Sequence, residues 1–204
     1  MTSAVEPASP VRDDLRTILG GGILLGLLTA VGVVLFALLS RALSGSAETV
    51  VQSLLILAGG ALFSYLPAFR VRPREVDSIA WAALIGLLGA LAFTVLDMVL
   101  LRPLNVYHWT WDQIGGGSGF WYIPVWWMGS ATLAWLGAWI YSIANAKRAT
   151  TAHSLALHTL LIALAVFVIL TVVRIAPFAS AIMALSFCLA LLIHLSLTAI
   201  LRRG

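Results

Sequence analysis

Six stretches of about twenty residues, each free of Lys, Arg and Glu, dominate the chain: Gly20–Ser40, Val50–Phe69, Ile79–Leu101, Phe120–Ile143, Ser154–Val173 and Phe178–Leu201. At 1.5 Å rise per residue, about 20 apolar residues in a helix cross a hydrocarbon core of about 30 Å. The pattern predicts an all-α, polytopic membrane helix bundle with six transmembrane helices. Composition agrees, because a soluble domain carries about 25% charged residues and this one carries 10%. A nucleic-acid binder is excluded as well: the net charge of +4 comes from 12 basic residues scattered along the chain rather than gathered into a phosphate-binding patch. The single cysteine, Cys188, lies in an apolar run, so neither an intrachain disulfide nor a cysteine metal site is available.

The spacing predicts a flexible tail over 1–16, with Pro7, Pro10 and small polar residues, followed by one six-helix domain over 17–204. The first stretch exceeds the 7–15-residue core of a signal peptide, and Asp13 and Asp14 stand where a signal would be basic, so it reads as a retained helix. Counting Lys and Arg by alternate connections places Arg12, Arg16, Arg70, Arg72, Arg74, Lys147, Arg148, Arg202 and Arg203 on one side. Only Arg41, Arg102 and Arg174 fall on the other. Positive charge accumulates on the cytoplasmic side, so both termini are expected inside and the protein in the cytoplasmic (inner) membrane. Most connections are short. Residues 102–119 form the one long loop, on the outer side.

Chemistry-bearing residues are few. Asp97 is the only acidic residue within a stretch, and its cost in hydrocarbon makes function the default expectation. It lies about one turn below the outer surface, near Arg102 and Arg174. It reads either as half of an interfacial Asp–Arg pair that sets helix register or as an acid able to protonate a carbon–carbon double bond. Seven of eight tryptophans lie between Trp109 and Trp139. An interfacial aromatic belt accounts for Trp109, Trp111, Trp121, Tyr122 and Tyr141. Trp126, Trp127 and Trp135 lie too deep for a belt and suit a flat or polyene ligand, a partner protein or lipid. Tyr107 joins the loop aromatics. His158 and His194 lie about 6–10 Å above the cytoplasmic ends of adjacent antiparallel helices, where a haem or chlorophyll is a minor expectation beside simple hydrogen bonding. Ser118, in a glycine-rich string, is separated from His194 by most of the membrane, which argues against a serine–histidine protease. Gly22/Gly26, Gly59-Gly60 and Gly86/Gly89 are read as ordinary close-packing positions.

From Asp97-x5-Pro103 the chain continues through Trp109-Thr110-Trp111 and a glycine-rich stretch to Trp121-Tyr122-Ile123-Pro124. This order resembles the carotenoid-biosynthesis membrane family that includes the bacterioruberin-type carotenoid hydratases. The resemblance covers about 30 residues, with Asp97, Trp109, Trp111, Tyr122 and Pro124 at the matching positions. It implies an isoprenoid substrate, a polytopic helical fold and acid-type addition of water to a terminal double bond. The chain departs from the family after Pro124, where Val125-Trp126-Trp127-Met128-Gly129 replaces a polar stretch.

The leading expectation is a membrane protein binding a carotenoid, quinone or similar isoprenoid in an aromatic pocket. That pocket would be lined by Tyr107, Trp109, Trp111, Trp121, Tyr122, Trp126 and Trp127, with Asp97 as a candidate acid and Arg102 or Arg174 its electrostatic partner. The competing reading is a non-catalytic accessory subunit of a larger photosynthetic or respiratory membrane complex. A small transporter is third, since coupled transport needs more intramembrane charge. Lipid, a hydrophobic small molecule and other membrane subunits are the expected partners; no metal and no nucleic acid is expected.

Overall fold

In the computed structural model, residues 11–73, 76–107, 122–146 and 150–203 are described. Six long helices follow one another: α1 Val11–Ala42, α2 Gly45–Val71, α3 Val76–Leu96, α4 Tyr122–Asn145, α5 Ala152–Val172 and α6 Ser180–Arg203. A five-residue π-turn, Asp97–Leu101, prolongs α3. Five helices, all except α4, are long and apolar enough to cross a membrane, and the protein is a polytopic helical membrane protein. Its exterior fits that solvent: Ile23, Val31, Leu161, Val172 and Leu185 are exposed, as side chains facing lipid must be, whereas such a surface in water would drive aggregation.

The helix ends follow local chemistry. Helix α1 starts at Val11, inside the tail expected over 1–16. Pro10 followed by acidic residues at 13 and 14 is a helix-start pattern, which accounts for the earlier start, and residues 1–10 lie outside those described. Helix α2 stops at Arg72, which takes a left-handed φ of 49° and donates its N–H to the Ala68 carbonyl; Pro73 then prevents continuation. Helix α5 opens on Thr151, whose hydroxyl accepts the Ser154 N–H and satisfies one of the orphan donors of the first turn.

Helix α2 is central and packs against all five others; α1 lies mainly on α3, α3 on α4, and α5 on α6. Helices α1 and α3 run parallel. A Cβ on Gly22 would fall 2.6 Å from the Leu88 Cβ, and one on Gly26 2.6 Å from the Ala92 Cβ, so both glycines allow the backbones to approach as small-xxx-small pairs do. Gly60, Gly86 and Gly89 also seat against neighbours, whereas Gly59 faces open space. The main core lies between α2, α4, α5 and α6 and includes Leu57, Tyr65, Ile140, Phe167, Phe187 and Leu191.

Candidate functional site

Asp97 sits at the junction where the α-helical ladder of α3 widens into the π-turn. There the Arg102 N–H bonds back to the Asp97 carbonyl, five residues earlier. Such single π-turns recur at functional positions because they re-aim one side chain without ending the helix. Here the turn leaves Asp97 only 2% exposed. Its two oxygens are both taken: Arg102 Nε donates to Oδ2 at 2.8 Å, and the Tyr107 hydroxyl donates to Oδ1. Burial acts to lower the Arg102 guanidinium, but the hydrogen bond and charge of Asp97, with a contribution from Tyr107, hold it above its ordinary value. Burial first, then the bond to Asp97 and its charge, push the Tyr107 hydroxyl well above the ordinary phenol value. Tyr107 is therefore a neutral donor and Arg102 a cation throughout the physiological range.

This clasp is tied to α1 as well. Arg41, in the last turn of that helix, donates to the carbonyls of Val106 at 2.7 Å and Asn105 at 3.3 Å. Sequence reasoning missed Arg41, although it is the lone cation between the first two apolar stretches. Arg174 is not brought to Asp97. It ends α5 with a left-handed φ of 59° and is exposed, while α5 packs on α6 and α2. The cation beside Asp97 is Arg102.

One turn below Asp97, a lateral groove of about 290 Å³ runs between Leu19 and Ile23 of α1, Leu88, Leu91 and Val95 of α3, and Trp127 of α4. Trp127 is pinned in place because its indole Nε1–H donates to Thr94 Oγ1 at 3.1 Å, and Thr94 in turn donates to the Ala90 carbonyl. Asp97 is not among the residues lining the groove. Trp126 is not among its lining residues and is 46% exposed; Trp135 and Trp139 meet at a tilt, centroids 5.0 Å apart, and are also exposed. Of the other expected ligand contacts, Trp109, Trp111, Trp121 and the Tyr122 side chain lie outside the described residues, as does Ser118. Of the expected aromatic set, the structure thus gives Tyr107 to the clasp and Trp127 to the groove.

On the far side of the bundle, His158 and His194 do meet, rings in edge-to-face contact with centroids 6.1 Å apart. His194 Nδ1 lies 2.7 Å from Thr159 Oγ1, and Thr159 Oγ1 lies 2.5 Å from the Tyr65 hydroxyl. Sequence reasoning found the histidines but not this chain, whose other two members are ordinary residues on two helices. Among the described residues no group of three or more His, Cys, Asp or Glu side chains could hold a metal ion.

The architecture and this set of sites define the class: an all-helical, polytopic membrane protein whose buried Asp97 is clasped by a half-exposed Arg102 beside an apolar lateral groove. No protein-family profile, curated protein or solved structure matches the chain.

Proposed function

We propose that this protein is a six-span protein of the cytoplasmic membrane that holds the chain of an isoprenoid-type lipid, such as a carotenoid or quinone tail, in the groove between α1, α3 and α4. The observation that carries this reading is the fixed position of Trp127. An indole whose only polar atom is bonded to Thr94 presents a rigid apolar wall, and rigid aromatic walls bind flat, unsaturated chains at low entropic cost. A volume of about 290 Å³ stands at the lower limit of ligand pockets, about 300 Å³, and suits one chain segment rather than a headgroup.

Binding, not catalysis, is the proposed role of this region. A general acid needs a proton on a carboxyl oxygen within reach of its substrate, whereas both Asp97 oxygens accept bonds from Arg102 and Tyr107. Asp97 would then fix the end of α3 and the start of the outer loop above the groove. Helix α4 is proposed as the sixth span. It has 24 residues and no charged side chain, and it falls short on hydropathy because its four tryptophans count as weakly polar although they partition well near membranes. Six spans with the basic ends inside place the clasp outside.

An accessory subunit is the second reading, supported by the outward-facing Trp126, Trp135 and Trp139. Gentle purification followed by absorption spectroscopy and mass spectrometry of bound lipid and protein tests both. An isoprenoid enriched over bulk membrane lipid is expected. A stoichiometric protein partner without isoprenoid would favour the second reading, and bulk phospholipid alone would refute the first.

A further inference from the structure

The chain from Tyr65 to His194 has a direction that proton counting fixes. Thr159 is fully buried, Tyr65 4% exposed and His194 8%, and the two bonds at 2.5 and 2.7 Å are the ones available to these groups. If His194 carried its proton on Nδ1, Thr159 would accept it and pass its own proton to Tyr65. The buried Tyr65 proton would then point at nothing, at a cost of about 1–3 kcal/mol. In the opposite direction Tyr65 donates to Thr159 and Thr159 donates to Nδ1, and every proton is used. His194 is therefore the tautomer protonated on Nε2, held there by its partner on Nδ1.

Among the described residues that Nε2–H has no partner. It is also absent from the buried unpartnered polar atoms, which among the described residues are Ser53 Oγ and Ser64 Oγ, so it reaches the outer surface of the bundle. His158 stands beside it, exposed and with no hydrogen bond of its own. Both lie on helices long and apolar enough to span the membrane. His158 is six residues inside the start of α5 and His194 nine residues inside the end of α6, or about 9 and 14 Å at helical rise. At that depth water is scarce, and an unmatched N–H costs several kcal/mol.

We propose that the His194 Nε2–H, flanked by His158, is a donor site for the carbonyl oxygen of a membrane-dissolved molecule, either the ring carbonyl of a quinone or the ester carbonyl of a glycerolipid. The site lies across the bundle from the α1/α3/α4 groove and does not depend on it. A metal is disfavoured by the same proton count, since ligation through Nε2 would reverse the whole chain and strand the Tyr65 proton. The chain is not a conduction path, because it ends at Tyr65 among Leu57, Leu136 and Leu155 of the core.

The test uses the intact protein, labelled with ¹⁵N-histidine and delipidated, in three nanodiscs: ether-linked phosphatidylcholine, ester-linked phosphatidylcholine, and ether-linked lipid with decylubiquinone. The His194 Nε2–H resonance is identified by its loss in His194→Asn. A downfield shift relative to the ether disc is expected in at least one carbonyl-containing disc. A shift with ester lipid alone identifies the glycerolipid as the source, a shift with decylubiquinone alone identifies the quinone, and a shift in both shows that the site accepts either carbonyl. The same resonance position in all three would overturn the proposal.

Discussion

Replacing Gly137 with alanine should destabilise the bundle where α4 crosses α2. A Cβ at this position of α4 would lie 2.0 Å from the Ser64 carbonyl oxygen, 2.5 Å from its carbonyl carbon and 2.9 Å from its Cα, all backbone atoms of α2. Carbon contacts are comfortable at about 3.5 Å or more, so the two helices must separate by about 1.5 Å, and no side chain can rotate away to absorb the change. Pro67 makes that level of α2 sensitive, because it withholds the N–H that would bond the Phe63 carbonyl. Overpacking costs about 1–3 kcal/mol when side chains can adjust, and two backbones place this case at the upper end. Alanine returns about 1 kcal/mol of helix propensity over glycine. The net loss is about 2 kcal/mol, or about 30-fold in the folded-to-unfolded ratio. Titration with SDS in mixed micelles, followed by circular dichroism, measures it. Gly129→Ala, where nothing lies within 4 Å, is the control and should be neutral or slightly stabilising. Equal stability of Gly137→Ala and wild type would refute the packing argument.

The clasp predicts that Asp97→Asn costs about 1–2 kcal/mol, from loss of a charge-assisted bond discounted for the 42% exposed Arg102 side chain, read in the same titration, while bound lipid is retained. Because the folded-state value of Tyr107 is raised above 10.0, its contribution to stability is complete below about pH 10 and is lost as pH rises beyond it; Tyr107→Phe should remove that alkaline decline in a pH series of melts. Trp127→Ala should lower the yield of co-purified isoprenoid severalfold by mass spectrometry, whereas Trp126→Ala should not. In a Cys188→Ser background, a cysteine replacing the exposed Leu104 should react with an impermeant maleimide from outside intact cells, and reaction only after permeabilisation would reverse the proposed orientation.

Much of the bundle is legible in the sequence because burial in lipid leaves a one-dimensional trace: charge-free runs of membrane-crossing length between basic flanks. That Gly22 and Gly26 admit a close neighbour is legible too, since the four-residue spacing repeats on one helix face, although the sequence does not say that the neighbour is α3. Asp97 with Arg102 is half legible, as five residues separate them, but the π-turn that brings them together depends on a local hydrogen-bond shift that composition does not encode. Contacts that join separate helices leave less trace. The seat of Gly137 on Ser64, the Tyr65–Thr159–His194 chain and the reach of Arg41 to the Asn105 and Val106 carbonyls each involve residue types common in any membrane helix. Helix α4 is the converse case, since its tryptophans mark it as unusual in sequence while lowering its hydropathy as a span.

The most direct test of the groove is a photo-reactive amino acid replacing Val95, which lines it, compared with the same substitution at the exposed Leu161 of α5. After irradiation in native membranes, mass spectrometry of the adducts should find an isoprenoid on position 95 and only bulk phospholipid on position 161. The same phospholipid adducts in the same proportions at both positions would contradict the account.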